Sequence, residues 1–152
     1  IGDKLVILDA LTRAEVLETF LHTKHVGKKR FSLEGAESLI PMLTFLIAKC
    51  AEDGVEEIFI GMSHRGRLNV LANILNKPID SILKDFDEDY DPAPAEGMGD
   101  IRYHKGHANE SVNTYRGKSI KLTMAPNPSH LESVDPVVEG QTHAKQFIVG
   151  DE

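Results

Sequence analysis

The chain has 152 residues, a length that fits one domain, and 41% of them are hydrophobic and 27% charged, as in an average soluble protein. Its formal net charge of -7 argues against non-specific nucleic-acid binding, because that binding depends on neutralising phosphates. The single cysteine, Cys50, excludes an internal disulfide and is expected to be a buried, inert thiol. The longest apolar stretch is broken by Pro41 and Thr44 and is too short for a membrane span.

Two helices are predicted in the first third of the chain. Residues 12–15 (Thr-Arg-Ala-Glu) have the pattern of a capping box, and apolar residues at helical spacing follow, which predicts a helix over about residues 13–24. Residues 28–35 are a connector. A second helix is expected over about residues 36–52, with Gly54 as its stop signal.

A strand, a polar loop and a helix follow, which is half of a βαβ unit. Residues 57–62 are almost continuously apolar, as in a strand buried on both faces of a parallel sheet. Residues 63–67 (Ser-His-Arg-Gly-Arg) are the turn after it, and a helix is expected over about residues 68–75. Ligands of open α/β sheets bind at the carboxyl ends of the strands, so this turn is a candidate binding loop.

The second half of the chain predicts one further strand and two helices. A short helix is expected over residues 79–86, and the acidic stretch at about 85–99, rich in Pro, Gly and Ala, is expected to be a mobile surface loop. Alternating polar and apolar residues predict a strand over residues 119–124. A last helix is expected over about residues 133–148, with Pro136 in its first turn. The fold class is therefore α/β, with too few strands for a closed domain.

The loop after the first strand carries three side chains suited to an anionic ligand. Arg65 and Arg67 are permanent cations with forked donors for phosphate or carboxylate oxygens. His64 is suited to donating to an oxyanion or moving a proton near neutral pH. The loop also opens a helix, whose free N–H groups favour anions. The alternative is two solvated arginines and a surface histidine.

Two further loops carry histidines. His104 and His107 are three apart, a spacing that suits a metal only on a helix, which the sequence does not predict there. Ser129 and His130 are adjacent, but no Gly-x-Ser-x-Gly elbow accompanies them, and a helix-cap role is the alternative for Ser129 and Ser133.

The residues alone predict a soluble α/β domain with loops lined by His and Arg at its strand ends. Neither a dinucleotide fingerprint nor a P-loop occurs in the sequence. Two other interpretations stay open: a non-catalytic module that binds an anion, and a metal-dependent hydrolase that uses His64, His104 and His107.

Four ordered segments resemble the E1 component of 2-oxoglutarate dehydrogenase. They are residues 29–35 (Lys-Arg-Phe-Ser-Leu-Glu-Gly), 61–70 (Gly-Met-Ser-His-Arg-Gly-Arg-Leu-Asn-Val), 99–106 (Gly-Asp-Ile-Arg-Tyr-His-Lys-Gly) and 127–132 (Asn-Pro-Ser-His-Leu-Glu). The resemblance covers nearly the whole chain. It implies that residues 1–152 are an internal fragment, the N-terminal part of a transketolase-like domain that binds thiamine diphosphate on a parallel sheet. A helical segment at about residues 1–30 is expected to precede that domain.

The resemblance also implies an activity. The family oxidatively decarboxylates 2-oxoglutarate with thiamine diphosphate and magnesium, and it transfers the succinyl group to the lipoyl group of its E2 partner in the tricarboxylic acid cycle. Related E1 proteins act on 2-oxoadipate, and the Tyr103-His104-x-Gly106 loop favours 2-oxoglutarate. A homodimer is expected, with no nucleic-acid or membrane partner. The expected location is the cytoplasm if the source is bacterial, which is favoured, or the mitochondrial matrix if it is eukaryotic.

Roles for individual residues follow from their places in the matching motifs. His64 and His104 are expected to be catalytic and, with Ser129, to surround the 2-oxo acid. Arg65, Ser129 and Leu131 are expected to contact the cofactor. The metal-binding segment of the family is expected beyond this chain, so the sequence assigns no magnesium ligand here and predicts that the fragment alone is inactive.

Overall fold

The structure, a computed structural model, describes residues 2–87 and 98–151. Helices are interspersed with three strands along these residues. In chain order they are α1 (Gly2–Lys24), α2 (Leu39–Glu52), β1 (Glu57–Ile60), α3 (Arg67–Asn73), α4 (Ile79–Asp87), a 3-10 helix (Met98–Tyr103), β2 (His107–Asn113), β3 (Ser119–Met124) and α5 (Leu131–Val149). The loop expected at about residues 85–99 falls mostly outside the described residues, and its first three residues complete α4.

The three strands form one mixed sheet in the order β1-β3-β2. β1 is parallel to β3, with Ile60 opposite Met124, whereas β2 is antiparallel to β3, with His107 opposite Met124. The α/β class is therefore confirmed, but the expectation of a parallel sheet holds for one strand pair and is wrong for β2. Because of this topology, the carboxyl ends of β1 and β3 and the amino end of β2 lie at one edge of the sheet.

β2 is an element that the sequence did not predict. Of its seven residues only Val112 is buried, so the alternation that marks a half-buried strand is weak. Its register with β3 is also irregular between Asn109 and Val112. Pairing with β3 makes this polar segment a strand, and that pairing cannot be read from the local sequence pattern.

Three helix starts differ by two residues or more from the predicted ones, and α2 begins at Leu39, three residues later than expected. α1 begins at Gly2, and the Thr12 hydroxyl donates to the Leu8 carbonyl oxygen at 2.8 Å inside the helix, so the expected capping box is wrong. α5 begins at Leu131 after His130, whose side chain makes no capping hydrogen bond. Pro136 therefore lies in the second turn of α5, and neither Ser129 nor Ser133 is its N-cap residue.

The hydrophobic core lies between the first three helices and one face of β3. α1 packs against α2 and α3, and α2 also packs against β3. Leu21, Leu71 and Leu122 are fully buried there, and Cys50 packs half-buried against the same core. None of the helices in the described part of the chain is long and apolar enough to cross a membrane.

An ion-pair chain lies on the opposite face of the sheet. The buried carboxylate of Glu57 on β1 pairs with Lys121 on β3 at 3.3 Å and with Lys145 on α5 at 3.3 Å. Lys121 also reaches Glu110 on β2 at 3.1 Å. Together with the packing of α5 on β1, these pairs attach the last helix to the sheet.

We predict that the core substitution Leu122→Ala lowers the free energy of unfolding by about 2–5 kcal/mol, because it removes a fully buried side chain and leaves a cavity. The control is Leu46→Ala on α2, whose side chain is 54% exposed, and its expected effect is within about 0.5 kcal/mol. Urea denaturation of the three chains measures both values. Equal effects of the two substitutions would contradict this account of the core.

Candidate active site at the strand ends

Three loops meet at the edge of the sheet where β1 and β3 end. Residues 61–66 follow β1, residues 104–106 precede β2 and residues 125–130 follow β3. The Ala125 N–H donates to the Ile60 carbonyl at 3.1 Å, and the Asn127 N–H donates to the His104 carbonyl at 3.2 Å. The main chains of the three loops are therefore joined to one another. Two of these loops follow β1 and β3, as predicted, whereas the loop that contains His104 precedes β2, a strand that the sequence did not predict.

The Arg67 side chain is the buried centre of this arrangement. It is 0% exposed, and its guanidinium donates to acceptors in all three loops. Nη1 donates to the Met62 carbonyl at 2.6 Å and to Asn127 Oδ1 at 2.7 Å, and Nε donates to the Lys105 carbonyl at 2.9 Å. Nη2 donates to the Ala125 carbonyl. The forked, planar guanidinium can serve acceptors in several directions at once, which no other side chain does.

Arg67 is therefore not the solvent-facing anion ligand that its sequence pattern suggested. Burial lowers its pKa to about 10, which leaves it charged at neutral pH. Its four acceptors are uncharged carbonyl and amide oxygens, so they satisfy its N–H groups without cancelling its charge. The edge consequently carries a fixed positive charge that favours an anion nearby.

Two glycines permit the close packing of the loops on one another and on the connector between α1 and α2. Gly66 has φ 76°, a conformation that favours glycine, and a Cβ there would lie 2.5 Å from Leu33 Cδ1. A Cβ on Gly106 would lie 2.5 Å from the Met124 carbonyl oxygen and 2.8 Å from Pro126 Cδ. A side chain at Gly106 would push the loops before β2 and after β3 apart, whereas one at Gly66 would be strained by its φ and would displace the Leu33 side chain on the connector.

His104 and Ser129 are brought into direct contact. His104 Nε2 lies 3.0 Å from Ser129 Oγ, and the tautomer of the imidazole decides which atom donates. Both side chains are half-buried. The pair joins the loop before β2 to the loop after β3 and presents an imidazole and a hydroxyl side by side. Such a pair can donate to the oxygen atoms of a bound acid or pass a proton to it.

His64 joins this site through aromatic contacts. Its ring lies 4.0 Å from the Phe31 ring, centroid to centroid, at an interplanar angle of 52°. The Phe31 ring in turn meets the Tyr103 ring edge-on, at 5.2 Å and 84°. Burial raises the pKa of Tyr103, so its hydroxyl stays protonated at neutral pH. His64 and His104 are thus linked by two aromatic side chains, the second of which precedes His104 in the chain.

Arg65 and Leu131 are the two exposed members of the predicted set. One Arg65 guanidinium nitrogen lies 3.5 Å from the Ser32 carbonyl oxygen, at the outer limit of a hydrogen bond. Leu131 is the first residue of α5 and is 46% exposed. Both side chains are therefore accessible to a ligand, one as a cation and the other as an apolar surface.

His107 lies in a different setting. It is the first residue of β2, and burial, together with the charge of Lys77, lowers the pKa of its imidazole, which is neutral at pH 7. Within residues 2–87 and 98–151, no three His, Cys, Asp or Glu side chains group in a way that could hold a metal ion. This finding counts against a hydrolase metal site built from His64, His104 and His107.

Sequence reasoning missed three residues of this site. Asn127 accepts from Arg67 and also donates to the Met62 carbonyl at 3.0 Å, although the sequence analysis assigned it no role of its own. Phe31 was assigned no role, and Tyr103 was named only as part of the loop that favours 2-oxoglutarate. The one available signal was that all three lie within the segments that carried the family resemblance.

Comparison with known proteins gives matches over nearly the whole chain at about 50% sequence identity, although no protein family model matches it. The chain is 50% identical over 149 residues, 98% of its length, to the multifunctional 2-oxoglutarate metabolism enzyme of Mycolicibacterium vanbaalenii. It is 49% identical over 145 residues, 95% of its length, to the 2-oxoglutarate dehydrogenase E1/E2 component of Corynebacterium glutamicum. It is 47% identical over 151 residues, 99% of its length, to a mitochondrial 2-oxoglutarate dehydrogenase-like protein of Rattus norvegicus. The chain spans only 12%, 12% and 15% of the lengths of these three relatives.

We predict that Arg67→Lys lowers the free energy of unfolding by about 2 kcal/mol or more. An ammonium cannot reproduce the fork, and each buried acceptor that loses its donor costs about 1–3 kcal/mol. The matched control is Arg116→Lys, because Arg116 pairs with Glu52 at the surface and such pairs contribute less than about 1 kcal/mol. Denaturation in urea compares the two variants, and an Arg67→Lys chain as stable as the control would show that the fork is dispensable.

Proposed function

Because the chain belongs, by its similarity to these relatives, to the 2-oxoglutarate dehydrogenase E1 family, we propose that its strand-end loops form part of the site of a 2-oxo acid dehydrogenase. The protein at full length then oxidatively decarboxylates 2-oxoglutarate and passes the succinyl group to a lipoyl group of an E2 partner. The fold of the whole domain is then transketolase-like. The names of the relatives, which refer to 2-oxoglutarate and to E1 and E2 components, support this proposal.

The observation that carries the proposal is the His104–Ser129 pair beside the buried charge of Arg67. A 2-oxo dicarboxylate presents carboxylate and keto oxygens, and all of them accept hydrogen bonds. His104 Nε2 and Ser129 Oγ, 3.0 Å apart, are donors suited to such oxygens. The uncancelled charge of Arg67 favours the anion without contacting it. His64, held against Phe31, is proposed as a second imidazole for the substrate.

The exposed residues fit the proposed cofactor, thiamine diphosphate. Its diphosphate needs cations, and its rings need apolar contacts. Arg65 offers an exposed guanidinium and Leu131 an exposed apolar side chain. When bound, the cofactor supplies the carbanion chemistry that protein side chains lack. Among the described residues no three His, Cys, Asp or Glu side chains group in a way that could hold a metal ion, and we propose no magnesium ligand among them.

The wider setting is proposed from the same relatives. The protein at full length is proposed to act as a homodimer in a multienzyme complex of the tricarboxylic acid cycle. Two of the relatives are bacterial and one is mitochondrial. We accordingly propose the cytoplasm of a bacterium as its location, with the mitochondrial matrix as the alternative.

Substitution of His104 in the protein at full length tests the proposed site. His104→Ala is expected to lower kcat/KM for 2-oxoglutarate by about 100-fold or more, since a positioned acid or base contributes about that much. His143→Ala is the control, because His143 is exposed on α5, and its expected activity is unchanged. Release of carbon dioxide measures both. Parallel assays with 2-oxoadipate decide between the two acids, and activity that survives His104→Ala would exclude the proposed role.

The 152-residue chain alone is expected not to decarboxylate 2-oxoglutarate, even with excess thiamine diphosphate and magnesium. The reason is the one given by the family resemblance, which places the metal-binding segment outside these residues. Carbon dioxide release by the purified chain, compared with a blank without protein, measures this. Turnover above the blank that follows the chain through purification would contradict the expectation.

A further inference from the structure

Phe31 lies outside the three loops, on the connector between α1 and α2, yet it contacts the loop after β1 and the last residue of the 3-10 helix, which leads into the loop before β2. Its ring packs against His64 at 4.0 Å and meets the Tyr103 ring edge-on at 5.2 Å. Its main chain makes matching contacts. The Phe31 carbonyl accepts from the Gly66 N–H at 3.0 Å, and the Phe31 main chain hydrogen-bonds with the Tyr103 hydroxyl.

We propose that Phe31 is a positioning residue of the site: it holds the imidazole of His64 in one orientation and fixes the loop after β1 relative to the loop that carries His104. The inference rests on the proposed function, because the value of a fixed imidazole depends on a substrate beside it. Phe31 itself need not touch substrate or cofactor. Nothing in the family resemblance gave it a role.

The connector is held firmly enough to act as a reference point. Ser32 Oγ donates to the buried carboxylate of Glu18 on α1 at 2.9 Å, and Arg30 Nη1 donates to the Glu18 carbonyl at 3.0 Å. Asn69 on α3 donates to the same carboxylate at 3.1 Å. The residues on both sides of Phe31 are therefore tied to one residue, Glu18, whose carboxylate lies between two helices. The Phe31 ring packs against the hydrophobic core and restrains the His64 side chain at the edge of the sheet.

The contact geometry explains why an aromatic residue is needed. The two ring centroids lie 4.0 Å apart and the ring planes are tilted by 52°, so an edge of one ring packs against the face of the other. Rotation of the imidazole would therefore remove contact area from both rings. Leucine keeps an apolar side chain of similar bulk but offers no flat face to restrain the imidazole. The expected consequence of Phe31→Leu is a loop that stays in place with a histidine that turns more freely.

The test uses the protein at full length with Phe31→Leu and a control, Phe45→Leu. Phe45 is half-buried on α2, and its ring packs against the Tyr115 ring at a centroid distance of 5.0 Å. Like Phe31 it therefore makes an aromatic contact, but it does not contact His64. We expect kcat/KM for 2-oxoglutarate to fall about ten-fold with Phe31→Leu, since a small misplacement of a reacting group costs up to about 100-fold. The control is expected to retain its activity.

A double-mutant cycle with His64→Gln separates positioning from a merely structural role. If Phe31 acts through His64, Phe31→Leu has no further effect once His64 is replaced. An equal ten-fold loss with and without His64 would overturn the proposal and make Phe31 a general packing residue.

A second readout does not depend on activity. The rate at which diethyl pyrocarbonate modifies His64, followed by mass spectrometry of its peptide, is expected to rise several-fold with Phe31→Leu and to stay constant with Phe45→Leu. An unchanged rate for Phe31→Leu would overturn the positioning role. If the unsubstituted protein fails to turn over 2-oxoglutarate, the proposed function fails, whereas the modification rate still tests the contact of Phe31 with His64.

Discussion

The guanidinium of Arg67 contacts every loop of the candidate site. It donates to the Met62 carbonyl after β1, to the Lys105 carbonyl before β2 and to Asn127 after β3. Since two of these acceptors are main-chain oxygens, their positions fix the path of the backbone and not only the position of a side chain. The placing of the candidate histidines therefore depends on a residue that is itself fully buried. A flexible ammonium in its place would leave at least one loop without its anchor.

The same interaction gives the site its charge. The chain as a whole is acidic, with a formal net charge of -7, yet the edge where the loops meet contains a cation whose acceptors are all neutral. A buried charge of this kind is weakly screened, so it acts on a nearby anion more strongly than an exposed lysine does. The acidic composition and a preference for an anionic ligand are thus compatible, because they belong to different parts of the molecule.

The site is not confined to the sheet. The buried carboxylate of Glu18 collects hydrogen bonds from Ser32 and Asn69, and through the connector it supports the ring that packs on His64. A polar group inside the core is stable only when such partners satisfy it. The helical layer therefore has a structural connection to the strand-end loops, although it lies on another side of the sheet from α5.

The sequence by itself determined the α/β class, the type of most elements and the loops that matter. β3 has the bounds that alternation predicted, and His104 and Ser129 were both named, because periodicity and motif are properties of neighbouring residues. Only the tertiary structure decided that β2 is an antiparallel strand, that His104 touches Ser129, and that Arg67 is buried within the loops and does not face a ligand. Strand pairing and the burial of a charge depend on segments distant in sequence, and an arginine has the same sequence signature whether water or three loops surround it.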